Sequence, residues 1–249
     1  MAYAKVNSVA IAALAKIGNI AKAGFGKIAG VNAPASFTNT YSLAFGGTDE
    51  YVAMSSLAYD TGSWSMWVKY SDATAILFNA GSEYYLYQTS GVLKFSNPNK
   101  AGTTDWSTDP SDGSWHHLVM TIDRPGAITT TSTIKVYLDG ALETTETGSR
   151  NFTLNANVLY FGRYSTSALY YAGNIDEIGW WSGQDGILSG TEVTALYNSG
   201  APINLAADSG NYTSSGNLTS YWRMGDGDTF ATITDNEGSN DGTMTNMAS

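Results

Sequence analysis

Five aspartates, Asp49, Asp176, Asp226, Asp228 and Asp241, offer hard oxygen donors of the kind a divalent cation takes. Asp226-Gly-Asp228 has the look of a loop ligand pair, but it is not the twelve-residue calcium loop of helix-loop-helix proteins. The competing reading is that these acids end turns and face water. His116 and His117 are adjacent on a predicted strand, so their side chains point to opposite faces and cannot easily share one metal. Glu143 and Glu146 read as members of a polar turn region, and no serine, histidine and acid can be grouped as a triad. Gly-Ser-Trp-Ser-Met (62–66) reads as a strand and not as a nucleophile elbow. Aromatic rings are plentiful. Tyr84, Tyr85 and Tyr87 form one cluster, Tyr164, Tyr170 and Tyr171 another, and Trp180 and Trp181 are adjacent. Rings left in solvent can stack on sugars, which makes Tyr84, Tyr85, Tyr170, Tyr171 and Trp181 candidate glycan contacts. The alternative is that such rings fill a core.

The totals bound what must position these groups. The chain has 249 residues, 43% hydrophobic, 12% aromatic and only 14% charged, with 27 Gly and 16 Tyr. That suits many short strands joined by tight turns and is too aromatic for a disordered chain. The net charge is −10. Residues 1–48 carry four lysines and no acid, so the rest carries −14. A body this acidic repels polyphosphate, so nucleic acid is not an expected partner. Cysteine is absent, which removes disulfides and thiolate chemistry. No run of 18 apolar residues occurs, so no membrane span is expected. The spaced lysines after Val9–Ala15 argue against a secretory signal.

The first 37 residues repeat with a period of 11. AKVNSVAIAAL (4–14), AKIGNIAKAGF (15–25) and GKIAGVNAPASF (26–37) align on Lys5, Lys16 and Lys27. Val6, Ile17 and Ile28 follow, then a two-residue pair, then Val9, Ile20 and Val31. An 11-residue period matches three helical turns, but Gly18, Gly24, Gly26 and Gly30 each weaken a helix by about 1 kcal/mol relative to Ala. The alternative is short β segments with turns at Asn7-Ser8, Gly18-Asn19 and Ala29-Gly30. Non-helical or mixed structure is favoured from Ala15 onward. Three such units cannot bury their aliphatic residues alone, so residues 1–36 are expected to be an assembly or anchoring arm.

From Tyr41 the apolar period is two. Strands are predicted at 41–46, 63–69, 75–79, 84–88, 92–96, 116–123, 134–138, 157–162, 173–180 and 218–224, with Asp139-Gly140 as a hairpin turn. One short helix is predicted at 189–200, capped by Thr191 or Ser189 and ended by Gly200. The expected fold is all-β, a two-sheet antiparallel jelly-roll sandwich over 37–249 with one short helix, preceded by the repeat arm.

Five segments in order carry a resemblance to a family. They are YSLAFGGTDEYV (41–52), GSWSMWVKY (62–70), GSWHHLVMTID (113–123), IKVYLDGAL (134–142) and LYFGRYSTSALYYAGNIDEIGWW (159–181), followed by the helix TEVTALYNSG. Together they resemble a laminin-G-like jelly roll of the concanavalin A-like lectin/glucanase superfamily, over residues 41–202. The Gly-x-Trp-His-His strand is the most diagnostic. The segment 218–244 resembles one that stands before the opening strand in many relatives, so a permuted terminal strand is expected, with Trp222 and Met224 packing inward.

The resemblance carries several implications. Glycan-cutting relatives use two glutamates on one strand, and here Asn174 and Gly179 stand at those places, so the chain is not expected to be an enzyme. One of the paired histidines is expected to be a buried, hydrogen-bonded residue beside Trp115. Many relatives bind Ca²⁺, which makes Asp176 the first candidate ligand, with Asp49, Asp226 and Asp228. The arm joined to a lectin-like fold suggests a virion component, a capsid decoration or tail fibre, with other virion proteins and copies of itself as partners and host-surface polysaccharide as a further one. The alternative is a bacterial extracellular or cell-surface carbohydrate-binding module.

Overall fold

A computed structural model describes residues 27–28, 31–32, 37–57, 61–80, 84–96, 103–125, 131–149, 157–164 and 169–247. The chain divides into two units, Met1–Thr38 and Asn39–Ser249. In the first, β1 (Lys27–Ile28) and β2 (Val31–Asn32) pair antiparallel, with Ile28 opposite Val31. That pairing fits the β-segment alternative for the third repeat, whose expected turn at Ala29-Gly30 lies outside the described residues. Lys5, Val6, Val9, Lys16, Ile17 and Ile20 lie outside the described residues.

The second unit is a sandwich of two antiparallel sheets. Alternating small polar and large apolar residues give each strand an inner and an outer face. The first sheet holds β3 (Leu43–Gly46), β5 (Gly62–Lys69), β10 (Trp115–Asp123), β11 (Thr131–Leu138), β12 (Ala141–Ser149), β14 (Ala172–Ser182) and β15 (Leu218–Trp222). Its order is β12-β11-β10-β5-β14-β15, and β3 also pairs with β14. The second sheet runs β16 (Thr232–Ile233), β17 (Gly242–Thr245), β4 (Tyr51–Leu57), β13 (Asn157–Phe161), β6 (Thr74–Ala80), β7 (Tyr84–Thr89), β8 (Val92–Ser96) and β9 (Thr103–Asp105).

The sheets enclose a core centred on Trp64, whose ring stacks on Trp180 at 4.7 Å and lies parallel to Trp222 at 6.3 Å. Trp222 and Met224 are fully buried in that core, and β15 and β17 close onto β14 and β4 respectively. The late segment therefore contributes one strand to the first sheet and two, β16 and β17, to the second. Asp139 and Gly140 both adopt positive φ (50° and 80°), the backbone that a two-residue hairpin between twisted strands requires.

A second, smaller core lies on the outer face of the first sheet. Val119, Tyr137, Trp181, Leu218 and Tyr221 from the strands meet Leu188, Val193, Leu196, Leu205 and Tyr212. Val193 and Leu196 come from α1 (Gly190–Tyr197). Ser189 caps this helix and not Thr191. Its hydroxyl accepts from the Glu192 backbone N–H at 3.3 Å, while the Glu192 carboxylate accepts from the Ser189 N–H at 3.0 Å. The helix ends at Asn198 in the left-handed region, two residues before Gly200. Glu143 and Glu146, read as turn residues, lie on β12, an edge strand rich in Thr and Glu with too few apolar residues to signal itself.

Candidate functional site

α1 does not cover the whole outer face of the first sheet. Beside it a cleft of about 270 Å³ opens, lined by Asn39, Thr40, Tyr41, Ser42, Trp67, Trp115, Asp176, Gly200 and Pro202. Strand register builds its floor. Trp67 of β5 stands opposite His117 of β10 on one side and Asp176 of β14 on the other. One step along, Lys69 stands opposite Trp115 and Asn174. Side chains two apart on a strand share a face, so Trp67, Trp115, His117, Asn174 and Asp176 all belong to the outer side.

Trp67 is held from the helix side. His117 packs on its ring at 5.0 Å and Tyr197 stacks at 5.9 Å. His117 is buried and exchanges a 2.8 Å hydrogen bond between Nε2 and Ser65 Oγ. Burial pushes its pKa down to about 3, so the imidazole is neutral. His116 faces the other way, between Asp139 (2.8 Å) and Asp112 (3.2 Å). Burial opposes charge there, but the two carboxylates outweigh it and raise the His116 pKa. The opposite-face reading of the pair holds, and the buried member is His117. Trp115 itself is 38% exposed.

The remaining wall is the lead-in to β3. Asn39 Nδ2 donates to Asp176 Oδ2 at 2.7 Å. The Thr40 and Tyr41 backbone N–H groups donate to Asp226 Oδ2 at 2.8 and 3.2 Å. Asn174 Nδ2 donates to Ser42 Oγ at 3.1 Å. Two carboxylates thus fix the segment that carries Tyr41, whose ring is 65% exposed.

A β-bulge between Asp176 and Gly179 shapes the acidic side. Glu177, in the bulge with φ 46°, turns its carboxylate into a buried network. It accepts from the Tyr221 hydroxyl and, at 3.2 Å, from Arg223 Nε. Arg223 also reaches Asp226 at 3.6 Å. Burial pushes both the Asp176 and the Glu177 carboxyls up to about 7, and the neighbouring acids push the same way against the pull of Arg223. A two-carboxylate glycosidase needs both acids flanking the bond. Here Asp176 lines the cleft and Glu177 faces Tyr221 and Arg223.

The structure sorts the other candidate residues. Tyr84 is buried and stacks on Phe95 at 5.7 Å. Tyr171 is buried, with its hydroxyl donating to the Asn174 carbonyl at 3.0 Å. Trp181 is buried in the second core, donating from Nε1 to Tyr212 Oη and the Ser214 carbonyl at 3.1 Å each. These three serve packing, and the expectation that they meet a ligand is corrected. Tyr85 and Tyr170 are half-buried. The four candidate metal ligands do not gather. Asp49 accepts from Asn246, and Asp228 from the Gly225 and Thr234 N–H groups. Asp176 and Asp226 are engaged as above. Among the described residues no group of three His, Asp or Glu is placed to hold a metal ion.

Sequence reasoning missed Asn39, Tyr41, Trp67 and Trp115 as site residues. They come from three separate segments. The available signal was parity: Trp115 shares a face with His117, and Trp67 lies opposite it.

A search of curated proteins finds no match. Among solved structures, a Bacteroides ovatus protein described as a candidate carbohydrate-binding protein superposes with a TM-score of 0.60 at 14% identity. The match covers 84% of this chain and 60% of that one, so this chain spans less than two thirds of its length. A heptameric SAP-like pentraxin from Limulus polyphemus superposes with a TM-score of 0.53 at 13% identity, covering 82% of this chain and 93% of that one. At such identities the likeness is one of fold. The sequence model of the laminin G type, described as the Concanavalin A-like lectin/glucanases superfamily, matches residues 45–194, more than half of the chain. The chain belongs to the Concanavalin A-like lectin/glucanases superfamily.

Proposed function

We propose that the chain is a carbohydrate-binding module that takes a sugar ring in the cleft lined by Trp115 and Tyr41. One observation carries the reading: two solvent-exposed rings and a buried carboxyl converge on a concave site in a lectin-type fold. Aromatic faces stack on the apolar face of a pyranose, while Asp176 and Ser42 offer oxygen acceptors to its hydroxyls. The description of the Bacteroides ovatus neighbour supports the same reading. A screen of the full chain on a glycan array tests it. Binding that Trp115→Ala abolishes is expected, and an array with no hit overturns it.

The virion reading rests on the repeats of residues 1–36, of which only Lys27–Ile28 and Val31–Asn32 are described. The comparisons favour the extracellular or cell-surface module over it. Gel filtration of the chain with and without residues 1–36 separates the two. An oligomer that dissociates on removing the arm favours assembly, and a monomer in both forms favours the module.

A further inference from the structure

The end of α1 and the turn after it divide the cleft from a second concavity. Gly200 and Pro202 line the cleft, while Tyr197, Asn198, Ser199 and Ile203 line a groove of about 600 Å³. The Asp139-Gly140 hairpin turn and the Ser209–Asn211 turn form its other walls. At about 270 Å³ the cleft falls just below the usual range for small-molecule sites, and the groove lies inside it.

Register places the two close together. Trp67 stands opposite His117, and the Asp139 N–H donates to the His117 carbonyl at 2.9 Å. Strands lie roughly 4.8 Å apart, so the Trp67 and Asp139 backbones are about 10 Å apart. The partition between cleft and groove is one side chain thick, because Tyr197 stacks directly on Trp67 at 5.9 Å. Its crest at Gly200 is bare backbone.

The groove walls are fixed before any ligand arrives. Thr194 Oγ1 donates to the Gly140 carbonyl at 3.0 Å and ties the helix to the hairpin. A Cβ on Gly140 would lie 3.2 Å from Tyr197 Cβ, so only glycine lets the turn come this close. Asn198 Nδ2 donates to the Ala201 carbonyl at 3.2 Å, and Ser209 and Tyr212 exchange backbone hydrogen bonds at 3.0 Å each. A preorganised site loses little ordering entropy on binding.

The lining carries no free charge. Asp139 is the only charged member among the described residues, and its two oxygens are taken by the His117 N–H at 2.9 Å and His116 Nδ1 at 2.8 Å. Ile203 and Ala195 are half-buried and offer apolar surface. Ser199 and Asn211 are exposed, and among the described residues neither side chain makes a hydrogen bond. Apolar patches beside hydroxyl and amide groups suit a neutral polyol.

We propose that the groove is a second subsite for the same glycan, so that the chain takes an internal stretch of a neutral polysaccharide across the crest at Gly200. The proposal rests on the reading of the cleft as a sugar site and extends it from one ring to a chain of several.

Affinity electrophoresis of the full chain through gels containing hydroxyethylcellulose, pullulan, arabinan or polygalacturonate begins the test. A neutral polymer is expected to retard the chain, and polygalacturonate is not. Di- and hexasaccharides of the retarding polymer are then titrated calorimetrically. The hexasaccharide should bind at least about tenfold more tightly, since its second contact is intramolecular. Asn211→Ala and Ser199→Gly should each weaken the hexasaccharide about fivefold, the scale of one lost hydrogen bond, and leave the disaccharide unchanged. Glycine adopts the φ of 58° at position 199 without strain, so that variant keeps the fold. Trp115→Ala should weaken both lengths. Equal affinity for the two lengths, or a hexasaccharide insensitive to both groove variants, would overturn the proposal while leaving the cleft reading intact. Retardation by polygalacturonate alone, or by none of the polymers, would overturn it as well.

Discussion

Trp67 of β5 and Asp176 of β14 stand directly opposite each other in one antiparallel register, so a buried indole and a buried carboxyl together floor the cleft. The carboxyl is held by Asn39 and the indole by His117 and Tyr197. Contacts on the helix side and on the β3 side therefore set the shape of one site.

Asp226 tests the β3 side. It touches no ligand in this account but accepts from the Thr40 and Tyr41 N–H groups. Asp226→Ala should free the wall that carries Tyr41. Glycan affinity is expected to fall about fivefold, the scale of roughly 1 kcal/mol of lost ordering. Isothermal titration checks this. Unchanged affinity would mean that the segment is placed by something else.

Arg223 faces Glu177, whose side chain is 1% exposed, and Asp226. Breaking a buried ion pair costs about 3–5 kcal/mol because a charge is left alone. The Arg223 side chain is 21% exposed, so water offsets part of that. Arg223→Met should destabilise by roughly 2 kcal/mol, read by urea unfolding at neutral pH. At pH 5, well below the Glu177 pKa of about 7, the carboxyl is neutral in parent and variant alike, so the loss should shrink. An equal loss at both pH values would contradict the network.

Asp176 and Glu177 titrate at about 7 in the folded protein, above their ordinary values of 3.8 and 4.5. The native state therefore keeps protons that the unfolded chain releases. Their contribution is present below about pH 4 and lost as pH rises to about 7. His117 runs the other way. Its pKa falls from 6.5 to about 3, so its contribution is present above 6.5 and lost on acidification. Asp176→Asn should flatten the decline of melting temperature between pH 5 and 7.5. Parallel profiles for variant and parent would contradict a buried, titrating Asp176.

Trp222→Ala removes one ring of the Trp64, Trp180 and Trp222 stack. The expected cost is about 3–5 kcal/mol, measured by thermal unfolding. A cost under about 1 kcal/mol would mean that β15 is dispensable to the sandwich.

Much of the fold was legible because inward apolar residues alternate along β5, β7, β10 and β15, and because Asp139-Gly140 permits only a narrow turn. β12 hid behind its Thr and Glu residues, and β9, β16 and β17 are too short to show a period. The site was less legible. Alternation says that Tyr84 and Tyr85 oppose each other but not which one faces the core. It separates His116 from His117 but cannot bring Tyr41 to Trp115 across more than 70 residues. Only the β3–β14–β5–β10 register does that. Trp181 was misread because α1 and the chain after it cover the sheet it faces, a tertiary fact with no local signal.

The central claim is that Trp115 and Tyr41 hold a sugar. Titrating an array-selected glycan into the parent chain, Trp115→Ala and Tyr41→Ala tests it most directly. Both rings are exposed, so melting temperatures should change little. The account predicts affinity at least about tenfold weaker in each variant, the scale of one lost stacking contact. Full affinity in both variants, with the fold intact, would contradict it.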